Sequence, residues 1–194
     1  YYPDTTILFL MLPIFVVNNH GQFNHLIHRK LRDMEIEVKM VPNTTPPSEV
    51  ADGCRGIILG GGPSLERAGN CAEYLDLGLP VLGICLGLHI IATARGGAVG
   101  PGSHGGYGGV CVRIAQESEI LAGYPEQIRV WASHADEVKK VPAGFSVYAV
   151  SDICPVEAMG RPEERLYGVQ WHPEVSHTEN GDLVFRNFER ICGL

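Results

Sequence analysis

Apolar positions fall into short unbroken runs in the first half of this chain and into alternation in the second. Leu12-Pro13-Ile14-Phe15-Val16-Val17 is brief and rich in bulky residues, and predicts a strand buried on both faces. Phe23, Leu26, Ile27, Leu31 and Met34 then recur three and four apart, the spacing of an amphipathic helix. Ile36–Val41 reads as the next strand, ended by the turn-rich "PNTTPPSEV". "GIILGGGPS" (56–64) reads as a strand running into a glycine turn, followed by a helix from about 67 to 77. "PVLGI" is a fourth strand and 86–95 a further helix. Strands alternating with helices at this spacing require right-handed crossovers and give a mostly parallel sheet covered on both faces.

The second half differs. Gly96–Gly109 is rich in glycine and reads as a flexible stretch, after which "VCVRI", "QIRVWAS", "FSVYAVS", "CPVEAM" and "RLYGVQW" read as short strands. "GDLVFRNFERICG" closes the chain as an amphipathic helix with Leu183, Val184, Phe188 and Ile191 on one side. The expected class is α/β: an open, mostly parallel sheet with helices on both faces plus a smaller antiparallel β portion in the second half. Residues 11–194 read as a single domain, and residues 1–10 as an added N-terminal extension.

A chain of 194 residues, 45% hydrophobic and 19% charged, can bury one substantial core. The formal net charge of -7 and the lack of any basic run exclude a nucleic-acid backbone or an anionic membrane surface as the main partner. The apolar stretch Ile7–Val17 contains Pro13 and falls well short of the roughly 20 residues of a membrane span. Six scattered cysteines without a C-x-x-C pair read as reduced thiols, so a cytoplasmic location is expected.

In open α/β sheets, sites form beyond the carboxyl ends of strands, and Cys85 falls there. Gly83-Ile84-Cys85-Leu86-Gly87 is a G-x-C-x-G version of the strand-to-helix elbow that lifts a nucleophile out of a sheet. The helix N-terminus that follows offers free N–H groups to an anion at the thiol. Such a nucleophile needs a base and a group to orient it. "YGVQWHPE" ends a strand with His172 and Glu174, whose i, i+2 spacing puts both side chains on one side of an extended segment. The N–H of Leu86 and that of Gly62, in the "GGGPS" turn, are the candidate oxyanion donors. That turn lacks the G-K-[ST] ending of a phosphate loop. His25 and His28 share a helix without a cysteine or carboxylate at ligand spacing, so neither they nor His20 predicts a metal site.

"GICLGLH", "GGGPS" and "GVQWHPE" resemble the three signatures of class I, or triad, glutamine amidotransferases, in that family's order, across nearly the whole chain from Met11. The resemblance implies a flavodoxin-like fold and hydrolysis of L-glutamine to glutamate through a cysteine thioester, with ammonia passed to a synthetase. It makes Cys85 the nucleophile, His172 the base, Glu174 its orienter, and Gly62 with Leu86 the oxyanion donors. "WASHADEV", "CPVEAM" and "HPEVSHTENG" resemble the amidotransferase part of GMP synthetases, and "NNHGQFNHLIHRKL" the stand-alone archaeal type. The ATP-pyrophosphatase half with its SGGxDS loop is absent. The implied partner is therefore a separate synthetase chain that converts XMP to GMP and itself uses ATP and Mg²⁺; no cofactor is expected in this chain.

One position departs from the family pattern. His89 stands where a glutamine usually grips the substrate, four residues after the cysteine. The family's backbone contacts to the substrate's α-amino and α-carboxyl groups would fall at Ser133 and His134. Three alternatives stay open: the glutaminase subunit of another synthesis, such as anthranilate or carbamoyl phosphate; a γ-glutamyl peptidase working alone; and a non-catalytic, glutamine-binding regulatory module.

Overall fold

The run Ile14–Asn18 (β1) lies second from one edge of a nine-stranded sheet with the order β2-β1-β3-β4-β9-β8-β7-β5-β6. The computed structural model describes residues 11–193, so the expected extension at 1–10 lies outside the described residues. After β1 come α1 (Asn24–Asp33), β2 (Val38–Pro42), α2 (Pro47–Gly53), β3 (Gly56–Leu59), α3 (Cys71–Tyr74), β4 (Val81–Ile84) and α4 (Leu86–Ala94). The second half holds β5 (Ala98–Ile114), β6 (Gln127–Lys140), β7 (Ser146–Ser151), β8 (Ala158–Arg161), β9 (Leu166–Val169) and α5 (Gly181–Cys192). β2, β1, β3, β4 and β9 run parallel, whereas β8, β7, β5 and β6 add on antiparallel. The α/β class with a mixed sheet is the one expected.

Alternation along the central strands divides the core into two layers. Ile14, Val16, Ile58 and Leu82 face Ile27 and Leu31 of α1 and Val184, Phe185 and Phe188 of α5. Phe15, Val17, Ile57, Leu59 and Val81 face Val50 of α2, Tyr74 of α3 and Leu88 and Ile91 of α4. Because both faces are covered, these strands read as unbroken apolar runs. No helix among the described residues is long and apolar enough to cross a membrane. All six cysteines are free thiols, and Cys111 is the exposed one.

The structure departs from the sequence expectations at five places. The helix expected over 67–77 shrinks to a 3₁₀ turn, Leu65–Arg67, and the single-turn α3. Gly69 between them is left-handed (φ +55°), and a side chain there would meet the Asn43 carbonyl at 2.5 Å. The turn-rich "PPSEV" holds α2, whose Pro47 suits a first helical position because the missing N–H has no intrahelical role there. Gly96–Gly109 is no flexible connection: most of it lies in β5, paired with β6 from Ala98↔Lys140 to Arg113↔Gln127 around register shifts. "CPVEAM" enters a strand only at Ala158, because Ser151 and Cys154 close a turn through Ser151 N–H to the Cys154 carbonyl (2.9 Å). In α5, Phe185 occupies the core and Leu183 its rim.

Phe188→Ala is therefore expected to cost about 3–5 kcal/mol in urea unfolding, and Leu183→Ala about 1 kcal/mol or less.

Candidate active site

Cys85 has φ +55° and ψ −104°, a conformation disfavoured for any residue with a side chain. Its surroundings impose that turn. The Cys85 N–H still donates to Val169 of β9 (2.9 Å), while its carbonyl already accepts from Leu88 (3.0 Å) and His89 (3.3 Å) of α4. The chain thus passes from strand to helix within one residue. The close approach needs glycine on both sides: a Cβ on Gly83 would sit 2.3 Å from the Gly87 backbone, and one on Gly87 2.2 Å from the Leu59 carbonyl.

His172 and Glu174 lie in the loop after β9, both nearly fully buried. The His172 Nδ1–H donates to Glu174 Oε1 at 2.7 Å, which leaves Nε2 for the thiol. β6 fixes this loop. His172 N–H donates to the Trp131 carbonyl (2.9 Å), Thr178 Oγ1–H to the His172 carbonyl (2.7 Å), and Trp131 N–H to Thr178 Oγ1 (2.9 Å). Phe23 stands edge-on to the imidazole, centroids 5.0 Å apart. Burial alone would lower the His172 pKa. Hydrogen bonds to Cys85 and Glu174 and the negative charge on both outweigh it and raise the group to about 10.

The glycine turn closes the other side. A Cβ built on Gly61 would lie 3.5 Å from His172 Cε1 and 4.0 Å from Cys85 Cβ. Gly62 is pressed between the Asn19 carbonyl and the Leu86 side chain, where a Cβ would meet them at 2.2 and 2.7 Å. Gly62 and Leu86 both border a cleft of about 330 Å³ beside Cys85, and among the described residues neither N–H meets an acceptor. Two free donors flanking a thiol can receive the oxygen of an attacked carbonyl.

His89, Ser133 and His134 line the same cleft. The Ser133 carbonyl lies 3.8 Å from Cys85 Sγ. His89 Nε2 is 2.7 Å from Gln170 Oε1, so its donor serves Gln170 and Nδ1 is left for the cleft. His134 Nδ1–H donates to the Asp136 carbonyl (2.9 Å), while Nε2 is buried against Gly106 without a partner. Burial pulls both imidazoles below their ordinary range, so both are neutral near pH 7. The cleft's charged lining is Glu66 and Asp136.

Six of the eight predicted residues thus gather beyond the carboxyl ends of β3, β4 and β9, and Ser133 and His134 of β6 roof them. Sequence reasoning missed Phe23, Trp131, Gln170 and Thr178. Phe23 reads as part of α1's apolar stripe but precedes the helix and faces His172. Gln170, two residues before His172, carries the one signal that was available: a polar side chain at the end of an apolar strand. His20, His25 and His28 form no cluster, and among the described residues no three metal-ligating side chains gather.

Residues 15–191 match the family profile "Glutamine amidotransferase class-I". A Methanoculleus marisnigri protein, named as one of the subunits of a glutamine-hydrolyzing GMP synthase, is 68% identical over 182 residues, 94% of this chain and 99% of that protein. An Archaeoglobus fulgidus protein of the same name is 54% identical, over 93% and 99%. Among solved structures, a Thermoplasma acidophilum protein provisionally assigned as the corresponding GMP synthase subunit superposes with a TM-score of 0.89 at 38% identity, covering 94% of both chains. A Thermotoga maritima glutamine amidotransferase shares the fold, with a TM-score of 0.71 at 20% identity over 84% of this chain and 76% of that one.

Removing the carboxylate that faces His172 should lower its pKa. In Glu174→Gln, histidine NMR titration is expected to place His172 well below its wild-type value, and an unmoved midpoint would show that Glu174 does not set its charge.

Proposed function

The chain belongs to the class-I glutamine amidotransferase family, and on that premise we propose that it is the glutamine-hydrolysing subunit of a two-subunit GMP synthase. The observation that carries the chemistry is the strained elbow at Cys85 facing a buried His172–Glu174 pair between two unoccupied N–H donors. The specific synthesis rests on relatives of that name at up to 68% identity across nearly the whole chain.

Cys85 Sγ attacks the side-chain amide carbon of glutamine, and the carbonyl oxygen moves onto the N–H groups of Gly62 and Leu86. Donors so placed typically contribute about 3–4 kcal/mol to such a step. His172 is protonated at rest and hands its proton to the departing nitrogen, which leaves as ammonia. Acylation then removes the thiolate, one source of the raised His172 pKa. The imidazole therefore binds its proton less tightly once the thioester forms and can take a proton from the water that releases glutamate.

In the cleft, His89 Nδ1 and Asp136 offer acceptors to the substrate's α-ammonium group, while the Ser133–His134 backbone supplies the remaining contacts. Ammonia passes to a separate synthetase chain that uses ATP and Mg²⁺ to convert XMP to GMP. Relatives of the matching name weigh against an anthranilate or carbamoyl phosphate role, and the assembled triad against a purely regulatory one. Cytoplasmic residence fits six free thiols and this soluble substrate set.

Glutamate release by the chain alone is expected to be slow and to rise with the synthetase, XMP, ATP and Mg²⁺. Cys85→Ala should abolish it while GMP synthesis from added ammonium chloride persists. Stimulation by a chorismate-using partner in place of the XMP-using one would overturn the assignment. His89→Ala is expected to raise KM for glutamine about tenfold with a smaller change in kcat, the signature of lost ground-state contacts.

A further inference from the structure

Cys85 borders two cavities. One, about 330 Å³, passes Leu86, His89, His134 and Asp136; the other, about 260 Å³, lies beyond the thiol and is lined by His20, Gln22, Phe23, Asn24, Gly61 and His172. Gly62, Pro63, Cys85 and Ser133 line both and form the partition between them. His172 opens only on the second, and His89 and Leu86 only on the first.

We propose, resting on the glutaminase reading above, that glutamine occupies the first cavity while ammonia leaves, and water enters, through the second. Proton transfer sets the side on which ammonia forms. As the Sγ–carbon bond forms and the carbon–nitrogen bond breaks, the nitrogen takes a proton from His172, so it stands within hydrogen-bond reach of that ring. Ammonia is thus born on the His172 side of the partition. Deacylation retraces the geometry: a water oxygen bonds to the acyl carbon, its proton goes to His172, and the Sγ–carbon bond breaks to restore the thiolate.

The linings fit this division. Carboxylates of Glu66 and Asp136 border the first cavity and suit the α-ammonium of an amino acid, but would retain ammonium ion. The second cavity is bordered by neither Asp nor Glu, which keeps the product as neutral ammonia, the form that reacts with an activated acceptor. Its Asn24 side chain is already engaged, Nδ2–H donating to Asn18 Oδ1 and the Gly61 carbonyl at 3.0 Å each. His20 and Gln22 stand exposed at its mouth. A synthetase acceptor site is then served from the His20–Gln22 face.

Hydroxylamine tests the route in the chain alone, because it intercepts the thioester to give γ-glutamyl hydroxamate. In Gln22→Trp, which narrows the second mouth, the hydroxamate-to-glutamate ratio is expected to fall about fivefold with KM for glutamine within about twofold of wild type. In Ser64→Trp, at the first cavity, KM should rise and the ratio hold. With the synthetase present, Gln22→Trp should raise glutamate formed per GMP clearly above one, while GMP synthesis from added ammonium stays unchanged. An unchanged hydroxamate ratio in Gln22→Trp, or a fall in Ser64→Trp instead, overturns the proposal. Wild-type hydrolysis that no XMP-using synthetase stimulates would count against the GMP synthase reading alone, since the hydroxamate ratio reads the route without the partner.

Discussion

The whole site hangs on one backbone conformation, that of Cys85. To move from β4 into α4 within a single residue, the chain accepts a positive φ at a position with a side chain, at a typical cost of about 1–3 kcal/mol. That cost is met by packing that only glycine permits: Gly83 against Gly87, and Gly87 against the Leu59 carbonyl. The tight approach starts α4 directly after the thiol-bearing residue and sets Leu86 beside Gly62. The seat of the thiol, the Leu86 N–H and the start of α4 are consequences of the same turn and cannot be varied independently.

The second constraint comes from the antiparallel half. His172 follows β9, beside β4 in the parallel sheet, yet what fixes its loop is β6 at the far end of the strand order. Trp131 accepts from the His172 backbone and donates to Thr178, which in turn donates back to His172. The second half of the chain therefore works as a brace: it holds the His172 loop and roofs the thiol. Its glycine-rich β5 is held by pairing with β6 on both sides of a register shift, so backbone hydrogen bonds supply the order that its side chains do not.

Much of this was legible in the residues. G-x-C-x-G, "GGGP" and "HPE" each encode a local geometry, and the parallel strands encode their burial as unbroken apolar runs. Long-range pairing was not legible. Nothing local to Gly96–Gly109 distinguishes a linker from a strand, because its order resides in the partner strand. Trp131 and Thr178 escaped for the same reason: each matters through a backbone contact across more than 40 positions. The helix expected at 67–77 failed over Gly69, whose left-handed turn seats the chain against Asn43. His89 drew notice as a departure from the family's glutamine and lines the cleft, but its partner Gln170 lies 81 positions away, so the sequence could not tell which ring nitrogen is left for a ligand.

The roof also decides what the thiol can see. Ser133 reaches over Cys85 from β6, its carbonyl 3.8 Å from Sγ, and with Gly62 and Pro63 it separates the cavity that shows His89 from the one that shows His172. An acyl transfer with a single open cleft would have its amide substrate, its departing amine and its water compete for one space. With His172 on one side of the partition and the polar lining of the cleft on the other, the proposed route lets both half-reactions proceed without the acyl chain leaving its seat. The same strand that steadies the imidazole thus divides the space around the sulfur, so a disturbance of β6 would disorder His172 and merge the two cavities together.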